Sequence, residues 1–172
     1  MNDNVFMSFY IGENGGGKST LLNALSRSNP NGTLTIGFNA HETISKTAFS
    51  VLESLTPQQS ETLKSILSDM FIWFEDFILT DRKVMVKTTH ETIGLDKCAT
   101  GFYCIQYYLA IILSPMTPQT ISIDNVDSGI NPKLCRVLIK TLAALAKKSN
   151  KKLFLTGNLI ILNLIYFNTL FY

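Results

Sequence analysis

The stretch Gly12-Glu13-Asn14-Gly15-Gly16-Gly17-Lys18-Ser19-Thr20 constrains this chain more than any other. It fits G-x-x-x-x-G-K-[ST], a loop pattern that makes demands on both of its flanks. An apolar run, Val5-Phe6-Met7-Ser8-Phe9-Tyr10-Ile11, leads in with the character of a buried strand. Lys18-Ser19-Thr20-Leu21-Leu22-Asn23-Ala24-Leu25 leads out as a helix. In that order the glycines let the backbone curl until successive N–H groups point inward together. The helix N-terminus adds the positive end of its dipole. Such a cradle selects phosphate. Lys18 is placed for the β- and γ-phosphates of a nucleotide, and the Ser19 hydroxyl for Mg²⁺.

The bulk properties agree with a folded domain. A chain of 172 residues, 46% of them apolar, can bury a core and is too apolar for disorder. Its 15 basic and 13 acidic residues leave a net charge of +2, which neither favours nor excludes nucleic acid. Cys98, Cys104 and Cys135 form no C-x-x-C pair, which suits free thiols in a reducing cytoplasm. With His41 and His90 they match no zinc spacing. Met1-Asn2-Asp3-Asn4 carries no basic segment of the kind that opens a secretory leader. From Leu153 to Tyr172 the chain is uncharged, about the length of a membrane span, and lysines precede it. Gly157, Asn158, Asn163 and Asn168 interrupt that run, and Leu153-Phe154-Leu155-Thr156 has a better use as a core strand. The expectation is a domain over 1–156 and an apolar tail over 157–172, with no membrane partner.

In chain order, the first helix breaks at Asn29-Pro30-Asn31-Gly32, and Leu34, Ile36 and Phe38 alternate as a short strand. Ala40 to Leu55 reads as a helix. Thr56-Pro57-Gln58-Gln59 starts another, with Thr56 as cap, Pro57 at the first position and Gln59 closing a capping box. Trp73 to Leu79, a turn at Thr80-Asp81-Arg82-Lys83, and Val84 to Thr88 read as a hairpin. Val84 and Val86 alternate with Lys83, Met85 and Lys87, so one of its faces is solvated. His90 to Ala99 reads as a loop, and Thr100 to Leu113 as a helix with almost no polar face, hence buried. Gln119 to Ile123 is a short strand. Asn131 caps the next helix with Pro132 at its first position, and Leu134, Leu138, Thr141, Leu142 and Leu145 mark its buried face. Lys147, Lys148, Lys151 and Lys152 form a solvated C-terminal end favoured by the dipole. Trp73 with Phe71, Phe74 and Phe77 reads as core. The sum is an α/β fold: a mostly parallel sheet flanked by helices, with an antiparallel hairpin addition.

A phosphate cradle that uses Mg²⁺ needs an acidic residue at the tip of a neighbouring strand. Ile121-Ser122-Ile123-Asp124 supplies it. The continuation, Asp124-Asn125-Val126-Asp127-Ser128-Gly129-Ile130-Asn131-Pro132, resembles the Walker B and D-loop segment of ABC-type ATPases. The branch it is most similar to includes the chromosome-maintenance (SMC), recombination-repair and OLD-type phage-defence AAA ATPases. There the Walker A loop reads Gly-Glu-Asn-Gly-x-Gly-Lys-Ser-Thr, as Gly12 to Thr20 do, and Walker B is followed by Gly-(Leu/Ile)-(His/Asn)-Pro, as Gly129 to Pro132 are. The helix Gly101 to Leu113 followed by Ser114-Pro115 also resembles the segment after the family's signature motif. The resemblance implies a P-loop NTPase fold with ATP and Mg²⁺ as cofactors. It implies that Gly12, Glu13, Asn14, Gly15, Gly16, Gly17, Lys18, Ser19 and Thr20 bind the nucleotide, that Ser19 and Asp124 serve the metal, and that Asp124 and Asn125 stand at the catalytic positions. It further implies a dimer or hetero-oligomer closed through the nucleotide, with DNA as a candidate partner.

The chain departs from that pattern where phosphate is consumed. Asn125 stands where the family has a glutamate, and can orient water but not accept its proton. The signature position reads Ala99-Thr100-Gly101, without the serine, and the switch histidine falls at Asn158. Only eleven residues precede Gly12, too few for the family's N-terminal antiparallel strands, and no Q-loop glutamine is evident. Two functions therefore compete: an ABC/SMC-like ATPase with impaired hydrolysis, and an inactive nucleotide-binding or dimerisation module or truncated remnant of the family. A GTPase would need Asn-Lys-x-Asp, but Asn150-Lys151 is followed by Lys152-Leu153. A kinase would need an arginine-bearing lid, and the chain has only Arg27, Arg82 and Arg136.

Overall fold

The computed structural model describes residues 6–12, 16–28, 32–37 and 40–158. Glu13, Asn14 and Gly15, and the tail from 159 onward, lie outside the described residues. The chain divides into two compact units, one made of 1–39 and 118–172 and the other of 40–117.

In the first unit, β1 (Met7–Ile11), β2 (Thr33–Ile36), β6 (Thr120–Ile123) and β7 (Lys152–Gly157) form a four-stranded sheet in the order β1-β7-β6-β2. Every pairing is parallel. Strands in such sheets are covered on both faces and read as apolar runs. Accordingly Ile36, Ile121, Ile123, Leu153 and Leu155 are buried. Helix α1 (Lys18–Ser28) packs on β2 and β7, and α5 (Pro132–Lys148) packs on β7. The α5 start is as expected, with the Asn131 side chain accepting from the Lys133 N–H at 2.9 Å and Pro132 behind it.

The C-terminal end of α5 corrects one expectation. The lysines there are not all solvated: Lys151 is only 6% exposed. The reason is the way the helix closes. Asn150 adopts φ 53° where glycine is usual, its N–H donates to the Lys147 carbonyl, and the Lys151 N–H donates to the Ala146 carbonyl at 2.9 Å. This is a Schellman closure, which folds the residue after the left-handed position back over the last turn. Burial lowers the Lys151 ammonium from 10.5 to about 8.

The second unit is built from α2 (Ala40–Glu53), α3 (Pro57–Met70), an antiparallel sheet in the order β3 (Phe74–Thr80), β4 (Lys83–Thr88), β5 (Thr92–Gly94), and α4 (Thr100–Leu113). The Thr56 capping box is present in both directions, Gln59 N–H to Thr56 Oγ1 at 3.3 Å and Thr56 N–H to Gln59 Oε1 at 2.8 Å. Strands β3 (Phe74–Thr80) and β4 (Lys83–Thr88) form the expected hairpin. Its two turn residues, Asp81 at φ 47° and Arg82 at φ 60°, give the left-handed pair that matches strand twist. Val84 and Val86 are buried while Lys83 and Lys87 are exposed, so the alternation is real.

The segment His90 to Ala99 is not simply a loop. Thr92–Gly94 is a third strand, β5, paired with β4, and Leu95–Lys97 is a 3₁₀ turn. Three residues are too few for alternation to be legible, and β4 supplies the partner. The reversal is made by Thr88, whose hydroxyl accepts from the N–H groups of His90 and Glu91 and donates to the Glu91 carbonyl. A Cβ on Gly94 would lie 2.4 Å from Asp96 Oδ1, the free end of an exposed side chain that can turn aside.

Helix α4 is buried from Phe102 to Leu113. Phe102 collects the rings of Trp73, Phe71 and Phe74 at centroid distances of 4.7, 5.1 and 5.5 Å; Phe74 and Phe102 are buried in the core, while Phe71, Trp73 and Phe77 are half-buried at its edge. Hydroxyl pairs join α4 to α2: Thr47 with Tyr107, and Ser54 with Ser114, each at 2.7 Å. Gln106, fully buried, donates to the Tyr103 carbonyl at 3.1 Å.

Candidate phosphate and metal site

The site lies at the carboxyl ends of the parallel strands, where their loops emerge together. Strand β1 ends at Ile11, Gly12 follows, and the chain re-enters at Gly16 and Gly17 before α1 begins at Lys18. Gly17 has φ 77°, a backbone conformation that side chains disfavour, and its carbonyl accepts the first helical bond from the Leu21 N–H at 3.0 Å. The loop thus turns sharply into the helix. Lys18 Nζ reaches back to the Gly12 carbonyl at 2.7 Å, spanning the loop from end to start. Ser19 and Thr20 are exposed on the first turn of α1.

Asp124 follows β6 directly. Its N–H donates to the Ile36 carbonyl at 2.8 Å, which carries the β2 pairing one residue further and fixes the backbone at the sheet end. The side chain is buried, and both carboxylate oxygens are used. Oδ2 accepts from Ser19 Oγ at 2.6 Å, and Oδ1 accepts from the Thr156 hydroxyl. Two residues 105 apart in sequence are therefore in direct contact, and they are the ones expected to share a metal. Their oxygens are hard donors, the type Mg²⁺ selects. Among the described residues no cluster of three or more His, Cys, Asp or Glu side chains offers a competing metal site.

After Asp124 the chain makes a turn clamped by β7. Asn125 sits at φ 52°, and its N–H donates to Thr156 Oγ1 at 2.9 Å. The Val126 N–H donates to the Thr156 carbonyl at 2.9 Å. The Asn158 backbone and side-chain amides both donate to Asp127 Oδ2, at 3.3 and 3.2 Å. Gly129, at φ 71°, then redirects the chain towards α5. Cys135 is nearby but inert, because burial first and the Asp127 charge second push its thiol up to about 12.

Lys18, Ser19, Asp124 and Asn125 thus come to one end of one sheet. Ala99, Thr100 and Gly101 belong to the second unit, where Ala99 precedes α4 without a side-chain cap. Sequence reasoning passed over Thr156 and Asp127 as site residues. The available signal was a hydroxyl at the end of the apolar run Leu153-Phe154-Leu155. The second unit also has an open cleft of about 330 Å³, lined by Ile44, Phe49, Arg82, Asp96 and Tyr103 among others.

Comparison with known proteins adds little to this geometry. No protein-family model matches the sequence, and no curated protein matches it. Among solved structures the chain is similar to the SMC head domain from Thermotoga maritima, at 14% identity and a TM-score of 0.46, over 77% of this chain and 46% of that one. The chain therefore spans about half the length of that structure. A likeness this loose leaves the site to stand on its own residues.

Proposed function

We propose that the chain is an ATP-binding P-loop ATPase domain of the ABC/SMC-like type, with impaired hydrolysis. The observation that carries the reading is the 2.6 Å contact between Ser19 Oγ, on the first turn of α1, and Asp124 Oδ2, just after β6. In this reading Gly12, Glu13, Asn14, Gly15, Gly16, Gly17, Lys18, Ser19 and Thr20 surround the phosphates. Lys18 exchanges the Gly12 carbonyl for phosphate oxygens, and Ser19 and Asp124 hold Mg²⁺. Bound there, the metal neutralises charge on the β- and γ-phosphates. Nucleotide-dependent pairing of two copies, a DNA partner, a repair or phage-defence setting and a cytoplasmic location rest on the resemblance of the motifs. Among the described residues no helix is long and apolar enough to cross a membrane.

A second reading, an inactive nucleotide-binding or dimerisation module, is favoured by Asn125. Its side-chain amide accepts no proton, and its backbone N–H donates to the Thr156 hydroxyl. ATP binding with and without Mg²⁺, read by size-exclusion chromatography alongside phosphate release, separates the two. Steady release that disappears in Lys18→Ala and Asp124→Ala sinks the inactive module. Binding without release sinks the enzyme. No binding in either condition removes both, and GTP displacing ATP at equal concentration contradicts the adenine assignment.

A further inference from the structure

Thr156 has a role that neither strand propensity nor packing requires. It is fully buried near the end of β7, where a valine would fill the same volume. A buried hydroxyl is unfavourable unless it is hydrogen-bonded, and this one is bonded twice. It donates to Asp124 Oδ1 and accepts from the Asn125 N–H at 2.9 Å. The consequence falls on Asp124. The torsion that turns a carboxylate is broad, so a single partner leaves its plane loosely set. With Thr156 on one oxygen and Ser19 on the other, the plane is defined.

We infer that Thr156 is a positioning residue for Asp124, setting the carboxylate orientation that Ser19, and through it Mg²⁺, meets. The inference rests on the nucleotide-binding reading above. Groups that orient metal-site carboxylates typically change metal affinity by about 10–100-fold when removed. A hydroxyl that only tethered the turn after Asp124 to β7 would act differently. It would weaken ATP binding equally with and without metal.

The test is calorimetric titration of ATP into wild type, Thr156→Val and Thr156→Ser, each in Mg²⁺ and in EDTA. The expected result is a Mg²⁺-dependent gain in wild-type affinity that falls about 10–100-fold in Thr156→Val, is kept in Thr156→Ser, and is accompanied by unchanged affinity in EDTA. A Thr156→Val that keeps the full Mg²⁺ gain, or loses affinity equally in both buffers, overturns the inference. Should Thr156→Val not fold, Thr156→Ala against Thr156→Ser carries the same comparison. Wild type that binds no ATP in either buffer overturns the nucleotide reading and this inference together, whereas normal wild-type binding with a metal-indifferent Thr156→Val overturns this inference alone.

Discussion

The two units of this chain use buried polar groups for different ends. In the first, Asp124 and Thr156 are buried and bonded to each other at the ends of parallel strands. In the second, Ser114 is buried and bonded to Ser54, and Tyr107 to Thr47, along the flanks of two helices. The bonds are of the same kind, and topology makes the difference. Parallel strands all end on one side, so their loops bring distant residues to one place. Helices laid side by side distribute their polar contacts along their length, where they fix packing. The antiparallel sheet of the second unit has no shared end, and its residues alternate between core and solvent instead.

The contrast can be broken by mutation, and the largest effect is expected in the second unit. Phe102→Ala removes the ring on which Phe71, Trp73 and Phe74 converge, and should cost roughly 3–5 kcal/mol in urea unfolding. A cost under about 1 kcal/mol would mean that the cluster is not the core of that unit. In the first unit Lys18→Ala removes the part-buried bond to the Gly12 carbonyl and should cost about 0.5–1.5 kcal/mol of stability. It should weaken ATP binding by about 10–100-fold through loss of a charged hydrogen-bond donor. Equal losses of stability and affinity would erase the distinction between a site and a core.

Lys151 sharpens the comparison by pH. Its folded-state value is depressed from 10.5 to about 8 by burial. The unfolded chain therefore binds this proton more tightly, and the destabilisation is full below about pH 8 and fades as pH rises towards 10.5. Wild type should gain stability relative to Lys151→Met by up to about 1.4 kcal/mol per pH unit as pH rises above 8. Urea midpoints of both proteins across that range check it, since every other ionisable group is common to both. A difference that is flat in pH would place the ammonium in water. The smallest effect belongs to Thr56→Ala, which removes one half of the capping box and should cost about 1 kcal/mol, again by urea unfolding.

Local signals made much of the fold legible. The capping box at Thr56, the Asn131-Pro132 start of α5 and the turn at Asp81-Arg82 stand where the residues put them, because each depends on neighbours a few positions away. Strand β5 escaped notice because its three residues are a strand only by pairing with β4. Lys151 was misread because a run of lysines suggests solvent, while the left-handed Asn150 that buries it is a single residue without glycine's signature. Of the candidate site, Lys18, Ser19 and Asp124 were readable from spacing and strand–loop–helix order. Thr156 was not, since a threonine in an apolar strand looks the same whether its hydroxyl has a task or not.

The sequence by itself determined that a strand runs up to Ile11, that a helix sets out from Lys18, and that Asp124 follows a strand directly. The tertiary structure alone decided the order β1-β7-β6-β2. Inserting β7 between β1 and β6 is what sets Thr156 beside Asp124 and Asn158 beside Asp127. Strand order has no local signature, because pairing is chosen by backbone groups that every residue carries. Only the packing of the whole sheet selects which of them meet.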